Sequence, residues 1–331
     1  MAEDEFRNDD GFNVQKFDGV NNVDKRKIIL DCDPGHDDAI AIILAAARPE
    51  LEILGITTVS GNAEIEKTTN NALKVCDLVS LKDVVVSKGA SEPLIRVRET
   101  APGIHGDSGL DGPELPDPSR SWSDEHGSDT IIRLVKESNE PVTILPTGPL
   151  TNVALALTKA PEIKNNIEEI VLMGGGTFGN WTPTAEFNIW ADPEAAKKVF
   201  DSGVPIAVMG LDITHQALAT KEVIEQVNKI DNNVARIVGE LLVFFASTYK
   251  EMFDFDGAPV HDVLTVAYCV APELFKMKDV NITVETKGEF TAGTTLVDLH
   301  GVTGREVNAK FGLELDVEGF WKLMIDALKK Y

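Results

Sequence analysis

Residues 27–47 read KIILDCDPGHDDAIAIILAAA, and the interpretation of the whole chain starts from this stretch. The apolar run at residues 28–30 predicts a short buried strand, which a proline–glycine pair ends. The apolar residues 39–47 predict a helix, with the two aspartates before them as caps. A strand followed directly by a helix is typical of a βαβ unit and therefore of a parallel sheet.

The alternation of strand and helix continues as far as Met209. Further strands are predicted at residues 51–59, 84–86, 142–145, 169–173 and 205–209. Helices are predicted between them at residues 63–78, 128–137, 150–158 and 192–200. This order indicates a parallel sheet, in which ligands bind outside the carboxyl ends of the strands.

The pattern changes after Thr220. Helices are predicted there over residues 221–252 (one or two long helices), 263–270 and 317–328, the last one capped by Asp316. Residues 280–297 have strand character, with a turn at Lys287 and Gly288. We therefore expect an α/β fold: a single domain with a mainly parallel central sheet flanked by helices, plus a helical excursion and a small C-terminal strand pair.

The charge balance restricts the class of partner. The 331 residues include 54 acidic and 31 basic side chains, which gives a net charge of −23. Such an acidic surface repels phosphate backbones and anionic lipid, so we expect neither nucleic acid nor a membrane as partner. Residues 25–331 are expected to form one domain, preceded by a disordered acidic arm at residues 1–24.

The cysteines and the apolar runs bear on the compartment. Cys32, Cys76 and Cys269 match no disulfide or zinc spacing, which favours a reducing environment. The first residues lack the apolar core of a signal peptide, and no apolar run approaches the ~20 residues that span a bilayer. We therefore expect a cytoplasmic protein.

The clearest chemical signal is a group of four aspartates at the end of the first predicted strand: Asp31, Asp33, Asp37 and Asp38. The first two share one face of an extended chain, and the turn returns the other two to the same place. Crowded carboxylates need compensation, which a helix N-terminus and a bound cation can supply. An all-oxygen ligand set suits Ca²⁺ or Mg²⁺. A helix cap with solvated neighbours explains one such aspartate, but four are harder to explain in that way.

Other segments place polar residues beside turns. His261 and Asp262 precede an apolar helix, where a helix cap is the alternative interpretation. The turn at residues 146–152 can offer a backbone carbonyl to a metal. Glycines at residues 174–176 are followed by side chains suited to hydroxyl recognition, and no phosphate-loop motif is present. The glycine-rich loop at residues 104–109 carries one histidine.

Together these segments resemble the nucleoside N-ribohydrolases, a family with inosine/uridine-preferring and pyrimidine-preferring members. The resemblance rests on DCDPGHDDA at residues 31–39 and on later motifs in the family's order, at residues 104–106, 146–148, 171–176, 185–188, 210–216 and 260–262. It extends from Lys27 to the C-terminus. It implies hydrolysis of ribonucleosides to nucleobase and ribose, a role in nucleotide salvage, and a homo-oligomer, either a dimer or a tetramer.

The resemblance also implies roles for individual residues. It implies one Ca²⁺ held by Asp33, Asp38, the Thr147 carbonyl and Asp262, with Asp33 also as the base that deprotonates the metal-bound water. The implied transition state is oxocarbenium-like, as in glycoside hydrolysis. Ribose-binding positions correspond to Asp37, Asn62, Met173, Asn180, Glu186 and Asn188. His261 matches a proposed leaving-group acid, and His105 is the second candidate for that role.

The identity of the base stays open at this point. His36 and residues 105–113 are similar to pyrimidine-preferring members, whereas Tyr249 lies where purine- and uridine-using members often carry a tyrosine. Phe253 departs from the pyrimidine-preferring pattern, which has a tyrosine there. We expect broad specificity that includes uridine, with an inosine-leaning enzyme as the alternative.

Two interpretations from other functional classes are also consistent with the sequence, a phosphatase and a binding protein. Asp31 and Asp33 form the Asp-x-Asp pair of a Mg²⁺-dependent phosphatase, although no lysine-centred phosphate clamp is evident. The chain could also be a ribonucleoside-binding protein without turnover. The coexistence of a general base with metal ligands argues against the second reading, because binding alone does not require that base.

Overall fold

The computed structural model describes residues 25–331, so the arm predicted for residues 1–24 lies outside the described residues. Its strands are β1 (Arg26–Cys32), β2 (Leu51–Thr58), β3 (Val85–Lys88), β4 (Val142–Pro146), β5 (Ile167–Met173), β6 (Ile206–Met209), β7 (Leu218–Thr220), β8 (Gly257–Pro259), β9 (Phe275–Val284), β10 (Thr295–Asp298) and β11 (Ala309–Leu315).

The α-helices are α1 (His36–Ala47), α2 (Ile65–Leu78), α3 (Pro102–His105), α4 (Gly127–Glu137), α5 (Thr151–Lys159), α6 (Phe187–Ala191), α7 (Pro193–Phe200), α8 (Leu211–Thr214), α9 (Lys221–Val227), α10 (Asn233–Phe253), α11 (Val263–Val270) and α12 (Val317–Leu328). Two short 3-10 helices occupy Pro161–Asn166 and Pro272–Leu274. Within the described part of the chain, no helix is both long and apolar enough to cross a membrane.

Nine strands form one sheet in the order β10-β9-β11-β6-β5-β4-β1-β2-β3. Strands β1 to β6 pair in parallel, and β11 adds a further parallel strand beside β6. The pairs β11–β9 and β9–β10 are antiparallel. The predicted fold class, a mainly parallel central sheet flanked by helices, is therefore confirmed.

Helices cover both faces of this sheet. Alternate residues of β1 face opposite sides, as the two-residue period of a strand requires. Ile28 and Leu30 belong to the core on the side of α1, α2, α11 and α12. Ile29 belongs to the core on the side of α4, α5 and α7. The site described below lies at the edge where the parallel strands end.

Most predicted elements are present, with boundary differences that have local causes. The bounds predicted for α11 and α12 are confirmed, and the Asp316 side chain caps α12 by accepting from the Gly319 amide. Helix α1 begins earlier than predicted, at His36, because Asp38 in its first turn accepts a hydrogen bond from the Gly35 amide at 3.0 Å. The predicted span 221–252 divides into α9 and α10, and Asn232 caps the second helix.

The C-terminal strands differ most from the expectation. Strand β9 begins before the predicted region, and β11 was not predicted. The bulge between Gly312 and Glu314 interrupts the alternation of β11, which hides it from a pattern search. Because β11 lies between β9 and β6, the C-terminal strand pair extends the central sheet instead of standing apart.

The role of β11 in joining the two parts of the sheet predicts a large cost for Phe311→Ala. Phe311 is fully buried in this strand, so truncation leaves a cavity and is expected to lower the free energy of unfolding by about 3–5 kcal/mol. Phe290→Ala is the control, because its ring is 83% exposed and its loss is expected to cost about 0.5 kcal/mol or less. Equal denaturation midpoints for the two variants would contradict this packing.

Candidate active site

A cavity of about 280 Å³ lies beyond the carboxyl ends of β1, β4 and β5. Polar residues line one part of it: Asp37, Asn62, His105, Thr147, Asn180, Glu186, Asn188, His261 and Asp262. Apolar and aromatic residues line the rest: Ala101, Ile104, Met173, Trp181, Phe187, Phe245, Tyr249, Met252 and Phe253. A concave apolar site with a few convergent polar groups is typical of a small-molecule binding site.

Two carboxylates that line the floor of this cavity, Asp37 and Asp262, meet a third buried carboxylate, Asp38, just behind it. One oxygen from each of Asp37, Asp38 and Asp262 lies within 4.8 Å of the others. The first two belong to the first turn of α1, and the third directly precedes α11. Burial and the neighbouring Asp38 carboxylate raise the pKa of Asp37 to about 7. Burial and the charge of Asp37 raise the pKa of Asp262 well above its usual value.

Asp38 is the most completely hydrogen-bonded member of this trio. Its carboxylate accepts from the Thr147 hydroxyl at 2.8 Å, from the Gly35 amide at 3.0 Å and from the Asp33 amide at 3.3 Å. These donors tie the end of β1, the turn after it and the loop after β4 to one carboxylate. The first turn of α1 also contributes the partial positive charge of a helix N-terminus.

Asp33 lies beside the trio in a space that only glycines leave open. Its Oδ2 accepts a hydrogen bond from the backbone amide of Asn62 at 2.6 Å. Its Oδ1 is buried without a hydrogen-bond partner among the described residues. A Cβ on Gly148 would lie 2.5 Å from Oδ1, and one on Gly61 would lie 2.1 Å from Oδ2. Burial and the charge of Asp38 raise the pKa of Asp33 well above its usual value.

These features fit a hard cation. The unpartnered Asp33 oxygen, the shared carboxylate cluster and the nearby Thr147 carbonyl form an all-oxygen donor set. The close trio contains Asp37, for which the sequence predicted a ribose contact, and does not contain Asp33. The predicted ligand set of Asp33, Asp38, the Thr147 carbonyl and Asp262 therefore stays a prediction.

Asp31 was grouped with the other aspartates from sequence. Like Asp33 and Asp38 it does not line the cavity, but unlike them its carboxylate is held by partners away from the trio. Its Oδ1 accepts from the Thr57 hydroxyl at 2.6 Å and from the Asn152 amide group at 2.8 Å. Burial raises its pKa to about 6. Asp31 thus ties β1 to β2 and to α5 behind the site. The contact with Asn152 was not predicted from sequence.

The loop between β5 and α6 supplies the polar groups on another wall. The Glu186 carboxylate accepts from the amides of Gly175 and Asn188, both at 2.8 Å, and burial raises its pKa to about 7. The Asn188 amide group donates to the Thr147 carbonyl at 2.7 Å. Asn180 accepts from the Phe187 amide at 3.0 Å. The structure therefore brings the predicted ribose-binding residues of this loop to the cavity.

His261 and Tyr249 meet across the cavity from α6. The Tyr249 hydroxyl lies 2.8 Å from Nε2 of His261, and the Thr214 hydroxyl lies 2.7 Å from Nδ1. Burial lowers the pKa of His261 well below its usual value and raises that of Tyr249 well above its own. Burial therefore disfavours the charged form of each side chain in this hydrogen-bonded pair. The contribution of Thr214 was not predicted.

The apolar wall comes largely from one face of α10. Phe245, Tyr249, Met252 and Phe253 all line the cavity. Their spacing is that of one helical face. Only Tyr249 and Phe253 were singled out from sequence, and that was through the family resemblance. Phe245 and Met252 were missed because a helical apolar stripe is equally typical of core packing.

Comparison with known proteins gives matches over most of the chain. Residues 28–322 match the family model described as "Inosine-uridine preferring nucleoside hydrolase". The chain is 48% identical over 308 residues to the pyrimidine-specific ribonucleoside hydrolase RihA of Shewanella woodyi, an alignment that covers 92% of this chain and 99% of that relative. It is 46% identical to the protein of the same description from Photobacterium profundum, with 92% and 99% covered.

Among solved structures, the chain is similar to the purine-preferring ribonucleoside hydrolase from Gardnerella vaginalis. That similarity has a TM-score of 0.87 at 36% identity and covers 92% of this chain and 98% of the other. The resemblance described from the sequence motifs is confirmed by these matches.

The crowded carboxylates predict how pH affects the metal-free protein. Between the ordinary pKa of Asp37, 3.8, and its folded value of about 7, the folded state binds more protons than the unfolded state. Stability in chelator is therefore expected to fall as the pH rises from about 4 to about 7. Asp37→Asn should reduce this slope in thermal unfolding, whereas the exposed control Asp83→Asn should keep it. Equal slopes in wild type and Asp37→Asn would contradict the assignment.

Proposed function

Because this chain belongs to the family of inosine-uridine preferring nucleoside hydrolases, we propose that it cleaves the N-glycosidic bond of pyrimidine ribonucleosides, using one bound Ca²⁺. The family is one of enzymes, and ribonucleoside hydrolysis is its reaction. The preference for uridine and cytidine is proposed because RihA relatives at 48% identity are named as pyrimidine-specific. Broad specificity remains the wider alternative, since the purine-preferring Gardnerella enzyme shares the fold at 36% identity.

One observation carries the proposal: a single cavity holds a carboxylate cluster, hydroxyl-binding side chains and an apolar wall. Asp37 and Asp262 lie on its floor. Asn180 and Glu186 approach from the loop before α6, and Asn188 approaches from the first turn of that helix. A ribonucleoside has the matching chemistry, a polyhydroxylated ring joined to a flat base. The polar part of the cavity suits the ribose, and the aromatic part suits the base.

The predicted ion ligands are Asp33, Asp38, the Thr147 carbonyl and Asp262, with Asp37 close enough to contribute. A bound Ca²⁺ supplies positive charge that offsets carboxylate repulsion and orients a water molecule together with the ribose hydroxyls. The unpartnered Oδ1 of Asp33 supports this proposal, since a buried carboxylate oxygen otherwise loses its hydration without compensation.

Asp33 is the proposed general base. Its carboxylate is held by the Asn62 amide and enclosed by Gly61 and Gly148, so its position is defined before substrate arrives. Burial raises its pKa, and a carboxylate of higher pKa accepts a proton from water more readily. The water then attacks the anomeric carbon as the bond to the base breaks.

Bond cleavage places positive charge on the ribose ring, and the carboxylates around the cavity favour that charge. Glu186 is positioned by three backbone amides, those of Gly175, Asn188 and Ile189. Carboxylates fixed before the reaction stabilise an oxocarbenium-like transition state without having to reorganise during it.

The departing base is proposed to receive a hydrogen bond or a proton from the pair of His261 and Tyr249. Both line the cavity beside the aromatic wall, and both are buried. The neighbouring rings of Phe245 and Phe253 offer faces on which a base can stack. The departure from the pyrimidine-preferring pattern at Phe253 leaves Tyr249 as the hydroxyl in contact with His261.

The phosphatase alternative receives no support from the cavity. Among the described residues that line it there is no lysine or arginine to bind a phosphate dianion. The cytoplasmic location and the homo-oligomer, whether dimer or tetramer, remain predictions. A purely binding role predicts nucleoside binding without release of base, which the following experiment separates from hydrolysis.

We expect the release of free base from uridine and cytidine to have a higher kcat/KM than its release from inosine and adenosine. We also expect this release to stop when a chelator removes the metal. Asp33→Asn should lower kcat by a factor of about 10²–10⁴, because a positioned base is lost. Base and ribose are measured chromatographically, with the exposed Asp83→Asn as control. Binding of uridine by calorimetry without base release in any condition would favour the binding protein. Faster purine than pyrimidine release would overturn the base preference.

His261→Ala is expected to slow the hydrolysis of uridine more than the hydrolysis of p-nitrophenyl riboside. The nitrophenolate leaves without a proton, so it depends less on a donor. The measurement is the ratio of kcat/KM values for the two substrates in each variant. Asn62→Ala is the comparison, because it removes a polar group on the ribose side. Equal losses for both substrates in His261→Ala would show that His261 does not assist the leaving group.

A further inference from the structure

Thr214 has no part in the chemistry described above, although it contacts one of the groups that carry it. It ends α8, is fully buried and does not line the cavity. Its hydroxyl oxygen lies 2.7 Å from Nδ1 of His261 and has no other hydrogen-bond partner among the described residues. A hydroxyl in this place cannot touch the substrate, so any effect it has on the reaction must pass through His261.

Helix α8 is attached to the loop that also positions Glu186. The Gly175 carbonyl accepts from the Leu211 amide at 2.9 Å, and the Gly175 amide donates to the Glu186 carboxylate at 2.8 Å. Gly175 has a φ of +72°, and a Cβ there would lie 2.7 Å from the Thr295 side chain, so the loop needs glycine at this position. One loop therefore fixes a carboxylate on the ribose side and the Thr214 hydroxyl on the base side.

The ring of His261 meets a hydroxyl at each of its nitrogens. Thr214 lies at Nδ1, and Tyr249 lies 2.8 Å from Nε2. Half a turn of the ring about the Cβ–Cγ bond would exchange its nitrogens with its carbons, and both hydroxyls would then face C–H groups. A buried hydroxyl without a hydrogen-bond partner is unfavourable, so the two contacts together select one of the two ring orientations.

Neither packing nor the position of a proton makes this selection. The ring of His215 packs against that of His261 with centroids 5.6 Å apart, but the two orientations of an imidazole have nearly the same shape. A threonine hydroxyl both donates and accepts a hydrogen bond, so it pairs with Nδ1 whether or not that nitrogen is protonated. The ring orientation is therefore held in every protonation state of His261.

We propose that Thr214 is a positioning residue, which fixes the orientation of the His261 ring so that Nε2 faces Tyr249 and the departing base. Both of those side chains line the cavity. Without the Thr214 hydroxyl, the ring also occupies the orientation in which a carbon faces Tyr249, and the fraction of enzyme that can assist the base falls. The inference deepens the proposed function and rests on it for the role of His261.

The first test compares two variants on two substrates. Thr214→Val removes the hydroxyl and keeps the shape of the side chain, whereas Thr214→Ser keeps the hydroxyl. For uridine, kcat/KM should fall about tenfold in Thr214→Val, the equivalent of one hydrogen bond, and stay close to wild type in Thr214→Ser. For p-nitrophenyl riboside it should change little in either variant, because nitrophenolate leaves without a proton. Equal losses on both substrates in Thr214→Val would indicate a purely structural role and overturn the proposal.

Thr130→Val is the matched control. Thr130 is a fully buried threonine of α4 whose hydroxyl lies 2.7 Å from that of Ser87, and it does not line the cavity. Its loss should lower the thermal midpoint and leave the ratio of the two kcat/KM values unchanged. A change of this ratio as large as that in Thr214→Val would show that loss of any buried hydroxyl produces the effect, which would also overturn the proposal.

The second test asks whether Thr214 acts through His261. In the His261→Ala background, Thr214→Val is expected to cause no further loss of kcat/KM for uridine, because the ring that it orients is already absent. Two residues that act independently would instead give additive losses. A further tenfold loss in the double variant would therefore overturn the proposal.

A structural measurement separates this inference from the proposed function. In protein with ¹³C-labelled histidine rings and methyl groups, nuclear Overhauser contacts between His261 Hδ2 and the methyl protons of residue 214 report the ring orientation. We expect weak contacts in wild type, where Nδ1 faces Thr214, and strong ones in Thr214→Val, where the released ring also turns Hδ2 that way. Weak contacts in both would overturn the inference. A fixed ring in a protein that hydrolyses no nucleoside would overturn the proposed function and support the role of Thr214 in orienting the ring.

Discussion

The crowding of buried carboxylates at the carboxyl end of β1 is the constraint on which the rest of the site depends. Asp37 and Asp262 share a small volume with Asp38, and burial disfavours the charged forms of the first two. Amide and hydroxyl donors, the first turn of α1 and space for a hard cation provide the compensation. The same crowding requires glycine at positions 61 and 148, since any side chain there would displace Asp33.

The cavity has a ribose half and a base half, which different parts of the chain supply. The ribose half is built by strand ends of the rigid parallel sheet and by the loop before α6. The base half is built by the apolar face of α10 and by α3 with its loop. The two halves meet where Tyr249 of α10 contacts His261, the pair proposed to assist the departing base.

Local patterns predicted the elements whose periodicity is uninterrupted. Helix α11 is an apolar run directly after Asp262, and its bounds were predicted from sequence. Strand β11 was missed, since the bulge beside Gly312 interrupts its alternation. Phe245 was missed for a different reason: a helical stripe of apolar residues looks the same whether it covers a core or a cavity. The motif residues on strand ends and turns were the ones that chemistry alone could single out.

The sequence by itself determined that acidic residues would end a buried strand and that alternating strands and helices would build a parallel sheet, because both follow from neighbours along the chain. Only the tertiary structure decided that Asp262 stands against Asp37, that Asp31 turns toward Asn152, and that His36 reaches His105. These contacts join segments far apart in the chain. Strand order and helix packing bring them together, and neither is encoded in a local period of hydrophobicity.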